Sequence, residues 1–383
     1  MDREGPENEP EKDRMAQATV QRAGAGPEDL RAEIATSAIP ARASFANDRE
    51  RLVIVTDAWR PQINGVARTY EWLARELPAL GVTFSFVTPE GFPTVGLPTY
   101  RQIRLALASP AAVARSIDAA RPSTVHIATE GPLGLLARRH CLRTGLPFTT
   151  CYHTRYPEYA AARFPLPLSW SYAALRRFHR AARATMVATP ELKAELASRG
   201  FEHLAIWRRG VDVGTFALGP AAVLPFQRPY FLYAGRLAVE KNVEAFLALD
   251  LPGTKIVAGD GPQRAELQRR FPDARFLGAL GSSTLGALYR AADVFVFPSR
   301  TDTFGLVMAE ALAAGTPVAA YPSAGAHAIF GGHKCGVLDE DLRKAALEAL
   351  DISRDVARAA GAEHSMTKSV RIFLAILEAA RIA

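Results

Sequence analysis

Apolar residues along this chain gather in short blocks, and the blocks recur with helical stretches between them. The first, Arg-Leu-Val-Ile-Val-Thr-Asp at residues 51–57, is the run expected of a strand buried on both faces. Pro61 and Gly65 mark a loop, and the spacing that follows predicts a helix over residues 66–80, ended by Gly81. Residues 82–88, 124–128, 148–152 and 185–188 predict further strands. Alternation of this kind points to a parallel sheet with helices on both faces. Residues 217–229 interrupt the pattern with Gly219, Pro220, Pro225 and Pro229, a composition that suits an interdomain linker. A second β/α series opens at residues 230–235 and continues through 255–259, 274–278, 294–298 and 317–321.

Two doubly wound α/β domains are therefore expected, with the functional cleft between them at the carboxyl ends of the strands. The expected divisions are residues 51–218, a linker at 219–229, and a second domain at 230–364. Residues 365–383 predict an amphipathic helix whose apolar face carries Val370, Phe373, Leu374, Ile376 and Leu377. Residues 1–50 mix Glu, Asp, Pro, Gly and Ala without a sustained period, and predict a disordered extension.

Composition narrows the class. Of 383 residues 49% are hydrophobic and 22% charged, enough apolar material for ordinary cores. Cys141, Cys151 and Cys335 can form neither a disulfide framework nor a C-x-x-C pair, which fits a reducing compartment. No run of about 18 apolar residues predicts a spanning helix, and Met1-Asp2-Arg3-Glu4 opens no secretory signal. A cytoplasmic protein, soluble or peripheral on the inner face of the cytoplasmic membrane, is expected. The net charge of +7 is uneven: residues 1–50 hold 7 basic and 11 acidic side chains, residues 51–220 hold 21 and 11, and residues 221–383 hold 18 and 17. The basic surplus of the first folded half favours an anionic partner. Nucleic acid is not expected, because no reader motif accompanies the charge.

Between Arg138 and Arg183 nine arginines face one acid, Glu158. Arg163-Phe164-Pro165-Leu166-Pro167-Leu168-Ser169-Trp170-Ser171-Tyr172 leads there into Leu175-Arg176-Arg177-Phe178-His179-Arg180. Interleaved arginines and aromatics suit a surface resting on anionic lipid. The plainer alternative is a helix whose aromatics enter the core while its arginines are solvated.

Two segments carry candidate chemistry. In Tyr-Ala-Gly-Arg-Leu-Ala-Val-Glu-Lys-Asn (233–242) Gly235 permits a tight turn, and Arg236 and Lys241 stand beside a predicted helix start, where they can hold a diphosphate. Read alone, the pattern is weak and fits a solvated basic pair on a surface helix better. In the segment 300–318 Asp302 falls in the loop before a predicted helix, with Glu310 two turns on. Free N–H groups at Phe304, Gly305 and Leu306 can meet phosphate, Asp302 a sugar hydroxyl and Glu310 a ribose. The alternative makes Asp302 an N-cap and Glu310 a solvated helix residue. His153 ends a predicted strand, where a lone histidine is more often structural than functional. Glu130, also after a strand, can touch an acceptor or cap a helix. Asp339-Glu340-Asp341 predicts the first turn of a surface helix near Leu342, and no cluster has metal-ligand spacing, so no metal is expected.

Taken together these motifs resemble the retaining glycosyltransferases of family 4. The resemblance rests on Gly-Arg-Leu-Ala-Val-Glu-Lys-Asn (235–242), Val-Ala-Gly-Asp-Gly-Pro (257–262), Phe-Leu-Gly (276–278), Ala-Asp-Val-Phe-Val-Phe-Pro-Ser (292–299) and Thr-Phe-Gly-Leu-Val-Met-Ala-Glu-Ala-Leu-Ala-Ala-Gly-Thr-Pro-Val (303–318). Pro61-Gln62-Ile63-Asn64-Gly65-Val66, Tyr152-His153-Thr154 and Gly210-Val211-Asp212 agree in the first half. It covers about residues 51–325 and implies the GT-B architecture, with the final helix crossing back onto the first domain.

It further implies a UDP- or GDP-sugar as donor and, as acceptor, a hydroxyl of a membrane lipid or lipid-linked glycan. No cofactor is implied, the nucleotide-sugar being a substrate. Arg236 and Lys241 would bind the donor diphosphate, Glu310 the ribose, and the backbone at Leu277 and Gly278 the base. Phe304, Gly305 and Leu306 would offer backbone N–H groups. Gly65 would form a close-approach loop, and His153 would face the sugar near the reacting carbon. Asp302 stands where the family's Glu-x7-Glu pattern has its first acid, one methylene shorter, and the region after Ala320 is short for the family. A sugar-nucleotide epimerase of the same architecture and a non-catalytic scaffold are the rival readings.

Overall fold

The structure, a computed structural model, describes residues 51–62, 64–96, 104–161 and 167–382. The expected N-terminal extension lies outside them, as do Ile63 and Arg163 to Leu166 of the basic stretch. The first half contains β1 (Arg51–Val55), β2 (Thr83–Val87), the antiparallel pair β3 (Thr94–Gly96) and β4 (Arg104–Ala106), then β5 (Thr124–Ile127), β6 (Phe148–Cys151), β7 (Ala184–Val187) and β8 (Leu204–Ile206). All but β3 and β4 join one parallel sheet in the order β2-β1-β5-β6-β7-β8. The second half contains β9 (Tyr230–Ala234), β10 (Thr254–Ala258), β11 (Arg275–Gly278), β12 (Val294–Phe297), β13 (Val318–Ala320) and β14 (Gly336–Leu338). They form a second parallel sheet, β11-β10-β9-β12-β13-β14.

The continuous apolar runs have a simple cause. Successive side chains of a strand point to opposite faces, and here both faces are covered. Val53 and Val55 enter one core with Val125, Ile127 and Leu133, while Leu52 and Ile54 enter another with Tyr70 and Leu73. Phe231 and Tyr233 of β9 likewise part from Tyr230, Leu232 and Ala234. In each sheet the chain order reverses at one strand: β1 lies between β2 and β5, and β9 between β10 and β12. Loops leaving the strands at these reversals frame a crevice. They carry Asp57 and Glu130 in the first sheet, Arg236 and Asp302 in the second.

Some elements differ from their sequence forecast. The helix expected over 66–80 is α1 (Gly65–Glu76), capped by Asn64, whose side chain accepts from the Val66 and Ala67 N–H groups. It gives way to a 3₁₀ turn at Pro78–Leu80, because Pro78 has no N–H to continue the ladder, and Gly81 at φ 72° closes it. In the basic stretch, α2 (Pro132–Thr144) and α3 (Leu168–His179) are joined by Arg138, whose Nε and Nη2 donate to the Phe178 and Arg177 carbonyls at 2.8 Å each. Tyr172 and Phe178 are buried as the plainer alternative requires, but Trp170 is 71% exposed. Asp341 caps the Leu342–Glu348 helix through the Arg343 and Lys344 N–H groups.

After α4 (Leu306–Ala313) in the second half, the chain ends its described part in α5 (Met366–Ile382), which returns to the first sheet. Val370, Phe373, Leu374 and Leu377 are buried, and Ile376 partly so. The Phe373 ring lies 4.9 Å from those of His126 and Trp207. Trp207 Nε1 donates to both the carbonyl and the hydroxyl of Ser369 at 3.0 Å. Val211 pairs with Ser365 as an isolated parallel bridge, and a Cβ on Gly210 would come within 2.4 Å of the Ser365 carbonyl oxygen, so only glycine admits that approach.

Candidate functional site

At the end of β9 the chain turns sharply at Gly235 (φ 149°), and Gly259 after β10 packs so closely that a Cβ there would meet the Gly235 carbonyl oxygen at 1.8 Å. Tyr233 fixes the next residue by donating its hydroxyl to the Arg236 carbonyl at 2.9 Å. The helix expected at Lys241 is replaced by a 3₁₀ turn, Val239–Lys241, and the five-residue helix Val243–Leu247. Asn242 breaks the two apart by taking a left-handed conformation (φ 52°), held by its side-chain bond to the Pro298 carbonyl at 3.2 Å. Lys241 and Arg236 thus stand on a turn, with no long helix behind them to add N–H donors.

Lys241 forms an ion pair with Asp302, both side chains about four-fifths buried, while Asp302 Oδ2 is buried without a hydrogen-bond partner. Asp302 does not cap α4; that position is Gly305, in a left-handed conformation (φ 78°), with Leu306 as the first helical residue. Phe304 is buried, its ring edge-on to His364. Leu306 reaches the first domain: its Cδ1 would lie 3.3 Å from a Cβ on Gly65. Gly65 is therefore at a close approach, as the first residue of α1. Thr303 adds a second crossing by donating its hydroxyl to the His153 carbonyl at 2.9 Å.

Glu310 is fully buried, not solvated. Arg68 of α1 donates to its Oε1 at 2.8 Å and Tyr289 to its Oε2 at 3.2 Å. The second arm of Arg68 reaches Ser282 Oγ at 3.0 Å. Burial pushes the Glu310 carboxyl pKa up, and the charge of Arg68 works against that rise. Leu277 and Gly278 end β11, the edge strand beside β10, where the Gly278 carbonyl accepts from the Gly259 N–H at 2.7 Å.

On the opposite wall His153 is 4% exposed. Its Nε2 lies 2.8 Å from the Tyr70 hydroxyl, which lies 2.8 Å from His126 Nε2, and His126 Nδ1 is 2.8 Å from Thr149 Oγ1. One hydroxyl donates once, so at least one of the two Nε2 atoms carries a proton and donates to Tyr70. The Nδ1 of His153 faces Cys151 Sγ at 3.5 Å. Burial pushes His126 down to about 3, and burial together with the charge of Arg209 holds His153 well below its usual value. Both are neutral at pH 7.

Their effect on stability follows. Below the unfolded value of 6.5 the unfolded chain binds protons that these folded histidines refuse, so stability falls as pH falls. For His126 the loss runs from 6.5 down to about 3, at about 1.4 kcal/mol per pH unit well below 6.5. Urea midpoints taken between about pH 7.5 and 5 are expected to drop accordingly; a flat profile would mean that the folded chain accepts the protons.

Glu130 pairs with His179 rather than capping a helix: Nε2 to Oε1 is 3.2 Å, His179 Nδ1 meets Thr150 at 2.9 Å, and Glu130 Oε2 is buried without a partner. Helix capping falls instead to Asp57, which accepts from the Leu133 and Gly134 N–H groups. Sequence reasoning did not single out Asp57, Arg68, Tyr70 or Arg209. Only Asp57 carried a signal, its place at the end of a buried strand. Among the described residues no group of three or more His, Cys, Asp or Glu side chains is arranged to hold a metal ion, and no helix is long and apolar enough to cross a membrane.

Residues 63–215 match the family model described as Glycosyltransferase Family 4, and residues 228–352 match that of Glycosyl transferases group 1. A GDP-mannose-dependent alpha-mannosyltransferase of Mycobacterium tuberculosis is 31% identical over 327 residues, spanning 75% of this chain and 83% of the relative. An alpha-monoglucosyldiacylglycerol synthase of Streptococcus pneumoniae is 25% identical, over 80% of this chain and 79% of its own. The fold superposes on Anabaena HepE, solved with UDP and glucose, with a TM-score of 0.63 and 14% identity over 86% of this chain and all of that one.

Proposed function

We propose, because the chain belongs to glycosyltransferase family 4, that it moves a hexosyl group from a UDP- or GDP-sugar to a hydroxyl of a membrane lipid or lipid-linked glycan, with retention of anomeric configuration. One observation carries the site reading: Gly65, Arg68 and His153 of the first domain meet Leu306, Glu310 and Thr303 of the second across one cleft. Arg236 and Lys241 then bind the diphosphate and offset the charge that builds as it leaves. They take the part a divalent cation plays in other transferases. Glu310 receives the ribose hydroxyls, the Leu277–Gly278 backbone receives the base, and the backbone at Phe304, Gly305 and Leu306 meets phosphate and sugar. The departing phosphate oxygen accepts the acceptor's proton on the face it leaves, and closure of the cleft excludes water. Asp302, freed from Lys241 by the diphosphate, turns to the sugar hydroxyls, and Glu130 with its unfilled oxygen faces the acceptor.

Lipid as the acceptor's home is supported by a two-helix surface. Leu135 and Leu142 of α2 are exposed beside Arg139 and Arg143, and Leu168 and Trp170 of α3 are exposed on the helix that carries Arg176 and Arg177. Apolar and basic side chains presented together favour an anionic interface. The relative that makes a glucosyldiacylglycerol agrees with that reading.

The test is turnover of UDP- and GDP-sugars with and without vesicles containing anionic lipid and diacylglycerol, with the product's anomeric configuration read by NMR. The expected product is a glycolipid with the donor's configuration. An inverted product would overturn retention, and conversion of the donor without an acceptor would favour an epimerase. A folded protein that turns over no donor would favour a scaffold.

A further inference from the structure

One buried cation of the first half has no work in the scheme above. Arg209 is 5% exposed, its Nη2 is buried without a hydrogen-bond partner, and among the described residues it forms no ion pair. The groups within electrostatic reach are Tyr70, Cys151 and His153. None of them is an anion at pH 7, since burial raises the Tyr70 hydroxyl well above 10 and the Cys151 thiol to about 12, and His153 is neutral. The residue is also firmly placed. It follows β8 directly after Trp207 and Arg208, and the next two residues are pinned to the start of α5, Gly210 by close packing on Ser365 and Val211 by pairing with it. A desolvated guanidinium without a counter-ion is costly, and the cost is relieved only when an anion arrives.

The anion is not the diphosphate, for which the second domain already supplies Arg236 and Lys241. Arg209 belongs to the first half, within electrostatic reach of Tyr70 and of His153, whose carbonyl accepts from Thr303 of the second. We propose that Arg209 binds a carboxylate carried by the transferred sugar, so that the preferred donor is a nucleoside-diphosphate hexuronate rather than a neutral hexose. A planar guanidinium grips a carboxylate through two parallel N–H bonds. A neutral sugar would leave it buried and unpaired, which is the stronger source of discrimination. This proposal rests on the glycosyltransferase reading and on His153 facing the donor sugar.

The test is calorimetric binding of UDP, UDP-glucose and UDP-glucuronic acid, with GDP, GDP-mannose and GDP-mannuronic acid in parallel, to the wild type, Arg209→Met and Arg209→Lys. With the base that binds, the wild type is expected to hold the hexuronate about 10–100-fold more tightly than the neutral sugar. Arg209→Met loses that preference, Arg209→Lys keeps part of it, and all three bind the free nucleoside diphosphate alike. Without ligand, Arg209→Met is expected to melt at a higher temperature than the wild type, because an uncompensated buried charge has been removed.

Equal binding of acidic and neutral sugars by the wild type would overturn the proposal. So would a loss of free diphosphate affinity in Arg209→Met as large as its loss for the hexuronate, which would make Arg209 a phosphate ligand. A lower melting temperature in Arg209→Met would make it a structural residue. A folded wild type that binds none of these nucleotides would overturn the donor reading itself, and this proposal with it.

Discussion

Replacing Lys241 with Ala is expected to lower kcat about 10²–10³-fold, the loss typical of a single group that stabilises charge in a transition state. The fold is expected to survive, because Lys241 lies on a short 3₁₀ turn with a fifth of its side chain exposed. The loss has two sources. A cation disappears from the place where the diphosphate gathers charge, and Asp302 is left without its partner beside an incoming dianion. Asp302 already has one buried oxygen unsatisfied, so its repulsion of the donor is poorly screened. The second source is separable: Lys241→Ala with Asp302→Asn is expected to recover donor affinity, seen as a lower KM than Lys241→Ala alone, without recovering kcat. Near-normal turnover in a folded Lys241→Ala protein would sink the assignment.

Glu310→Ala is the second large effect, and it falls on binding and stability together. A fully buried carboxylate is removed from between Arg68 and Tyr289, two partners from different elements. Breaking a buried pair by deleting one member costs about 3–5 kcal/mol. Arg68 is about a fifth exposed, so water relieves part of the stranded charge and the loss belongs at the lower end of that range. Donor binding suffers separately through the ribose. At a temperature where the variant is folded, its affinity for UDP or GDP is expected to fall at least tenfold, while the affinity of the wild type for the 2′-deoxynucleotide falls in the same sense. Unchanged nucleotide affinity in folded Glu310→Ala would leave Glu310 as a purely structural tie between α1 and α4.

What the sequence revealed about this chain depended on how local the cause was. Runs such as Leu52 to Val55 and Val294 to Phe297 are strands because both faces of the sheet are covered, and a run of that kind needs no distant partner to be recognised. The short edge strands β8 and β14 escaped, having three half-buried residues each and no apolar block to mark them. The turn at Asn242 escaped because helical spacing continues through it; a bond to the Pro298 carbonyl, 56 residues away, sets its conformation. The candidate site was legible where it is built from glycine turns and strand ends, and silent where it is built from pairs. Arg68 meets Glu310 across 242 residues of sequence, and no local pattern foretells it. The network through Tyr70, His126 and His153 joins three elements of one core in the same way. Arg209 drew no attention, since nothing in sequence says that an arginine is buried.

The return of α5 bears on how the molecule comes into being. The first sheet is complete by residue 206, yet Trp207, Phe373 and Ser369 close its face only when residues 366–382 have been made. During vectorial synthesis the whole of the second sheet would emerge while the first sheet lacks the cover that Phe373 and Ser369 give to His126 and Trp207. The second domain, whose strands are contiguous from β9 to β14, is free to fold first. A chain stopped short of α5 would therefore carry a finished second domain joined to an open first one, and this uncovered face is where holdase chaperones would be expected to wait.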